Sequence, residues 1–126
     1  MMKMGKISGP INPYTRPHEW DTINLLLANG YDIQMLPESR ISGVHTPDIR
    51  MMNLCWEMKS PKSDSSDIIR NTLRDAVKQS SNIIIDLRRT KRHDLRCLYE
   101  IKKWYTGRNT TKNIWVISKQ GKIIKF

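Results

Sequence analysis

Only two cysteines, Cys55 and Cys97, occur in 126 residues, too few for a disulfide framework or a thiolate zinc cluster. Both fall on faces expected to be buried, so they read as free core thiols. The three histidines, His18, His45 and His93, are scattered over two helix starts and a loop, which argues against a histidine-rich zinc site. No apolar run approaches the roughly 20 residues that would span a bilayer, so no membrane anchor is expected. The basic start Met1–Lys6 runs into Ser8-Gly9-Pro10 instead of an apolar core, so no secretory leader is expected. Internal repeats and low-complexity tracts are also missing. Acidic side chains are scarce: 12 Asp and Glu against 22 Lys and Arg give a formal net charge of +10 and a pI of ≈ 9.9.

That excess is one-sided. Residues 1–60 carry six basic and six acidic side chains, whereas residues 61–126 carry sixteen and six. Such an imbalance is the electrostatic footprint of nucleic-acid binding. The plainer alternatives are a generally basic domain or one that docks on an acidic protein. A hydrophobic share of 38% and a mean hydropathy of −0.58 suit one soluble domain with a single core.

Residues 1–14 read as a flexible lead-in, and residues 15–126 as the folded domain. Pro17 starts a helix whose Trp20, Ile23, Leu26 and Leu27 recur at helical spacing, and Asn29-Gly30 ends it. A strand over 31–36 stops at Pro37, and a polar loop with Gly43 follows. Leu54–Lys59 forms the second half of a hairpin. Ile69, Leu73, Ala76, Val77 and Ser80 share a face of a helix over 67–80. The β-branched run Asn82–Leu87 suits a strand covered on both faces. A helix over 93–105 turns Leu98, Ile101 and Tyr105 inward, and a hairpin around Gln120-Gly121 closes the chain. The order α-β-β-β-α-β-α-β-β predicts an α/β fold, a mixed sheet flanked by helices.

The residues with most chemistry lie in the first hairpin. Side chains on a strand alternate faces, so Glu57 and Lys59 point one way while Leu54, Trp56 and Met58 point the other. With Met52-Asn53 as the turn, Asp48 stands opposite Glu57 and Arg50 opposite Cys55. Directly paired residues have Cβ atoms roughly 4.5–5.5 Å apart, so two carboxylates and a lysine converge. Asp48 and Glu57 are a candidate metal pair for a hard divalent cation such as Mg²⁺, and Lys59 is placed to stabilise charge building on a phosphate. The bland reading is a surface Glu–Lys pair, which contributes little.

Glu19, in the first turn of its helix, is either a site residue or a favourable charge at the positive end of the helix dipole. Gln79 flanks the apolar stripe of its helix and either faces the site or caps the packing. His45 is a possible general base, poised near neutral pH, or an exposed loop residue. Arg88, Arg89, Lys91 and Arg92, with Lys102, Lys103, Arg108 and Lys112, are candidates to track a phosphate backbone. Tyr99, Trp104 and Tyr105 either stack on unpaired bases or pack in the core.

Taken together, a helix bearing Glu19, Thr46-Pro47-Asp48-Ile49, Trp56-Glu57-Met58-Lys59-Ser60-Pro61, and the run Ala76 to Leu87 resemble the PD-(D/E)XK nuclease superfamily. Within it they are similar to the C-terminal tRNA-nuclease domains of contact-dependent growth inhibition toxins and related polymorphic toxins. The resemblance spans residues 17–105. It implies a restriction-endonuclease-like fold, with Asp48 and Glu57 as metal-binding carboxylates and Lys59 as the lysine that orients the nucleophile or stabilises the phosphate. Glu19 matches the acidic residue of the first helix and Gln79 a glutamine that completes the site.

The resemblance further implies an endoribonuclease that cuts tRNA, neutralised by a cognate immunity protein and in some members aided by a translation elongation factor. The place of action would be the cytoplasm of the producer or of a target cell. Cleavage would use a divalent metal or, without one, the substrate's 2′-hydroxyl. A metal-dependent DNase and a non-catalytic basic binding module are the rival readings.

Overall fold

The computed structural model describes residues 3–11, 15–37, 46–107 and 111–126. His45, Arg108 and the loop around Gly43 lie outside them. The described residues form β1 (Ile7–Ser8), α1 (Pro17–Ala28), β2 (Ile33–Met35), β3 (Ile49–Met51), β4 (Leu54–Lys59), α2 (Ile68–Ala76), β5 (Asn82–Asp86), α3 (Asp94–Thr106), β6 (Asn113–Ile117) and β7 (Ile123–Lys125). The seven strands make one sheet in sequence order. β1 pairs with β2 in parallel, as do β4 with β5 and β5 with β6; the other neighbours are antiparallel. The predicted mixed α/β sheet is what forms, with one strand more than expected.

That extra strand comes from the segment read as a flexible lead-in. Local pattern could not announce it, because its partners are distant in sequence. The Gly5 amide donates to Leu27 O at 2.8 Å, Lys6 N to Asp32 Oδ1 at 2.8 Å, and Ile33 N to Lys6 O at 2.9 Å. Gly5 lies so close to Tyr31 O that any side chain there would collide.

Two apolar layers cover the sheet. Ile23, Leu26 and Leu27 of α1 pack with Ile33, Ile49, Trp56, Met58 and Ile84. On the other face Ile69, Leu73 and Ala76 of α2 and Cys97 and Ile101 of α3 pack with Ile83, Ile85, Ile114 and Val116. β5 feeds both layers, as strict alternation along a doubly covered strand requires, and all five of its residues are buried. Trp104 and Tyr105 pack against the second layer, whereas Tyr99 is 64% exposed.

Two local expectations change. α2 ends at Ala76, not at residue 80, because the chain must turn into β5. The Ser80 hydroxyl (2.7 Å) and the Asn82 amide (3.2 Å) both donate to Cys55 O and hold that turn against β4. Cys55 is exposed while Cys97 is buried; Cys55 sits near the hairpin tip, where Met52, Asn53 and Leu54 are exposed as well. No helix among the described residues is long and apolar enough to cross a membrane.

Candidate active site

The β3–β4 hairpin turns on Met52 (φ 53°) and Asn53 (φ 62°). Two consecutive left-handed residues are the signature of a two-residue type I′ turn, whose twist matches that of the strands. The register is Met51 with Leu54, Arg50 with Cys55 and Ile49 with Trp56. Beyond this ladder Asp48 brackets Glu57. Its amide donates to Trp56 O at 3.0 Å, and its Oδ2 accepts from Met58 N at 2.9 Å.

Glu57 is only 4% exposed, so the pair is not the surface patch that alternation suggested. Lys59 Nζ lies 3.2 Å from Glu57 Oε2. With its nitrogen toward the carboxylate, the Gln79 amide donates to Oε1 at 2.8 Å and also to Oε2. Gln79 thus meets the site from the turn after α2, held there by its backbone N–H, which donates to Ala76 O at 2.9 Å. Burial pushes the Glu57 carboxyl up from 4.5 to about 8, helped by a hydrogen bond to Asp48 and by its charge, against the lowering pull of Lys59. Two carboxyl groups forced together in low dielectric favour a shared proton.

Asp48, Glu57 and Lys59 open into a cleft of about 340 Å³ whose rim is built by His18 and Glu19 of α1 and by Asn71, Thr72 and Asp75 of α2. Glu19 also caps its own helix, accepting from Arg16 N at 3.3 Å. The structure therefore brings together Asp48, Glu57, Lys59, Glu19 and Gln79. His18 and the polar face of α2 escaped the sequence reading. The only signal for the latter was the row of polar positions opposite Ile69, Leu73 and Ala76.

The basic residues divide. The Arg88 guanidinium grips the buried Asp86, with Nη2 at 2.7 Å from Oδ2 and Nε at 3.0 Å from Oδ1, and reaches Asp21 O at 2.9 Å. Thr22 Oγ1 donates to the same Asp86 Oδ2 at 2.7 Å. Arg89 is exposed and donates to Ser60 O at 3.1 Å. Arg92 is held by Glu100 at 2.5 Å, its side chain 14% exposed. Lys91, Lys102 and Lys103 are exposed but do not line the cleft. The Asp86–Arg88 pair was hidden in a hydrophobic run followed by a basic one.

The donor set suits a hard divalent cation. Asp48 and Glu57 supply carboxylate oxygens, and such ions keep several waters beside one or two carboxylates. A cation would also replace the proton that burial, helped by Asp48, keeps on Glu57. Among the described residues no cluster of three or more His, Cys, Asp or Glu stands ready as a metal cage, so water or substrate would have to supply the remaining ligands.

Fold and cleft together define an α/β domain that sets two carboxylates and a lysine on one strand pair beneath helices. Residues 45–123 match the family model described as the contact-dependent growth inhibition CdiA C-terminal domain. The chain belongs to that family, and is a CdiA C-terminal toxin domain. Among solved structures it is similar to a chain of the CdiA-CT/CdiI toxin and immunity complex from Burkholderia pseudomallei. The two are 22% identical, with a TM-score of 0.68 over 97% of this chain and 98% of that one. At that identity the likeness speaks for the fold. No curated protein matches.

Proposed function

We propose that this domain is an endonuclease of the PD-(D/E)XK type that cleaves tRNA, with Asp48, Glu57 and Lys59 as its catalytic centre. The observation that carries the reading is the convergence of Asp48, a nearly buried Glu57 and Lys59 in one cleft. Asp48 and Glu57 would hold a divalent ion, which when bound supplies Lewis acidity and a more acidic water. Lys59 contributes a fixed positive charge beside the phosphate as negative charge builds there. Gln79 keeps the Glu57 carboxylate oriented, and Asp48, tied to Met58 N, cannot swing away. The basic second half of the chain supports a polyanionic substrate. The motif wording around Asp48 and Glu57-Met58-Lys59 supports tRNA over DNA.

A cognate immunity protein is the natural neutraliser, since the similar domain from B. pseudomallei was solved in a toxin and immunity complex. The test is incubation of the purified domain with total tRNA and with plasmid DNA, each with Mg²⁺ and with chelator, alongside Lys59→Ala. Discrete tRNA fragments from the wild type alone are expected, and the chelator lane reports the metal requirement. Cut plasmid beside intact tRNA would overturn the tRNA assignment, and equal cutting by Lys59→Ala would overturn the site.

A further inference from the structure

A second cleft of about 240 Å³ opens beside the first, lined by His18, Asp21, Ser60, Asp86, Arg88 and Arg89. The two clefts share His18 and Ser60, and Ser60 follows Lys59 directly in the chain. They are neighbouring chambers of one groove.

The chemistry of the second chamber differs from that of the first. It has no Lys and no paired carboxylates, but two guanidinium groups. Arg88 is locked by contacts to both oxygens of Asp86 and by a bond to Asp21 O. Asp86 has no accepting capacity left for a ligand. It is 2% exposed, and its oxygens already accept from Arg88 N, from the Arg88 guanidinium and from Thr22. Arg89 uses Nη1 on Ser60 O, which fixes its stem and leaves the rest of its fork available. A guanidinium fork matches the oxygens of a phosphate. Two carboxylates oppose an anion: that of Asp86 is offset by Arg88, and that of the exposed Asp21 stands at the rim.

Resting on the nuclease reading, we infer that this second chamber is a phosphate subsite. Arg89, backed by His18 and by the clamped Arg88, receives the backbone phosphodiester next to the one cleaved at Lys59. The first chamber performs the chemistry and the second sets which bond of the chain reaches it. Asp21 keeps this grip moderate. Arg92, Lys102 and Lys103 take no part, because Arg92 is held by Glu100 and the lysines line neither chamber.

The experiment is a cycle between one side chain and one phosphate. A short RNA spanning the mapped cut is prepared with every phosphate charged, and in versions with a single neutral methylphosphonate, 2′-deoxy at that nucleotide, on either side of the cut. Wild type, Arg89→Ala and Asp21→Asn are compared on each by KM, kcat and Kd. Arg89→Ala should raise KM about tenfold, the loss of one charge-assisted contact, with kcat unchanged. At one flanking position the methylphosphonate should cost wild type the same factor and cost Arg89→Ala nothing. Asp21→Asn should tighten binding of each RNA whose phosphate at that position is charged, and leave the version neutralised there unchanged. If the Arg89→Ala and methylphosphonate losses multiply at both positions, or if Arg89→Ala changes nothing, the subsite is overturned. Should wild type bind this RNA without cutting it, the same cycle read in Kd decides the subsite while the nuclease reading alone falls. Absence of binding as well as cutting overturns both.

Discussion

Asp48 grips the strand of its partner carboxylate from both sides: its amide bonds Trp56 O and its carboxylate bonds Met58 N, with Glu57 between them. The two acids are therefore held together by backbone geometry that neither side-chain charge can relax. Lys59 supplies the offsetting charge at 3.2 Å. Replacing Lys59 by Ala should abolish cleavage while leaving the far-ultraviolet circular dichroism spectrum unchanged. Because Glu57 keeps its proton to about 8, loss of the lysine strands no buried charge at neutral pH and should cost only about 1 kcal/mol, the scale of one hydrogen bond.

The raised Glu57 carboxyl makes stability depend on pH. In the unfolded chain this group loses its proton near 4.5, whereas in the fold it keeps it to about 8. Between those values the folded state binds more protons, so stability falls as pH rises. Above 8 the slope vanishes. Urea melts in chelator across this range and a unit beyond should show the decline in wild type and a flatter profile in Glu57→Gln, which should also be inactive. A parallel decline in both proteins would place the titration elsewhere. Divalent metal should lessen the decline by competing with the proton.

Arg88 and Asp86 form a largely buried ion pair beside the second chamber. Removing one partner of such a pair strands the other charge in low dielectric. Since the Arg88 side chain is 29% exposed, Arg88→Ala should cost about 2–3 kcal/mol, below the full range for a buried pair. Thr22→Ala, which removes one hydrogen bond to the same carboxylate, should cost about 1–2 kcal/mol. The two losses should not add, because both act through Asp86. Chemical denaturation of the two single variants and the double variant measures this.

The hairpin turn is strained at Met52, which adopts φ 53° with a side chain 51% exposed. Residues that tolerate this conformation should relieve it. Met52→Asn combined with Asn53→Gly should raise stability by about 0.5–1 kcal/mol without altering KM, as read by thermal melts and cleavage kinetics. A fall in stability would mean that Met52 makes contacts worth more than the strain.

Much of this hairpin was legible because period-2 alternation of Trp56 and Met58 against Glu57 and Lys59 is a local signal, although Leu54, expected on the same apolar face, is exposed at the hairpin tip. The expected turn at Met52-Asn53 formed despite its weak chemistry, and it fixed the expected register for Arg50 with Cys55. The missing parts are all non-local. β1 exists through bonds to residues some twenty-odd positions away, and the end of α2 depends on Ser80 and Asn82 reaching Cys55 O. The burial of Glu57 follows from the loop carrying Gln79, which no periodicity in β4 could reveal. Asp86 looked like the end of a core strand, yet its carboxylate is the anchor for Arg88.

β5 sends Ile84 into one apolar layer and Ile83 and Ile85 into the other, while pairing with β4, the strand that carries Glu57 and Lys59. Neither half of the sandwich can melt and leave the other intact, so the domain should unfold in a single cooperative step. Whatever occupies the cleft, whether ion, nucleic acid or protein, then lends its binding energy to the whole chain and not to one loop. Protection from hydrogen exchange would spread to α1 and α3 as readily as to the hairpin it touches.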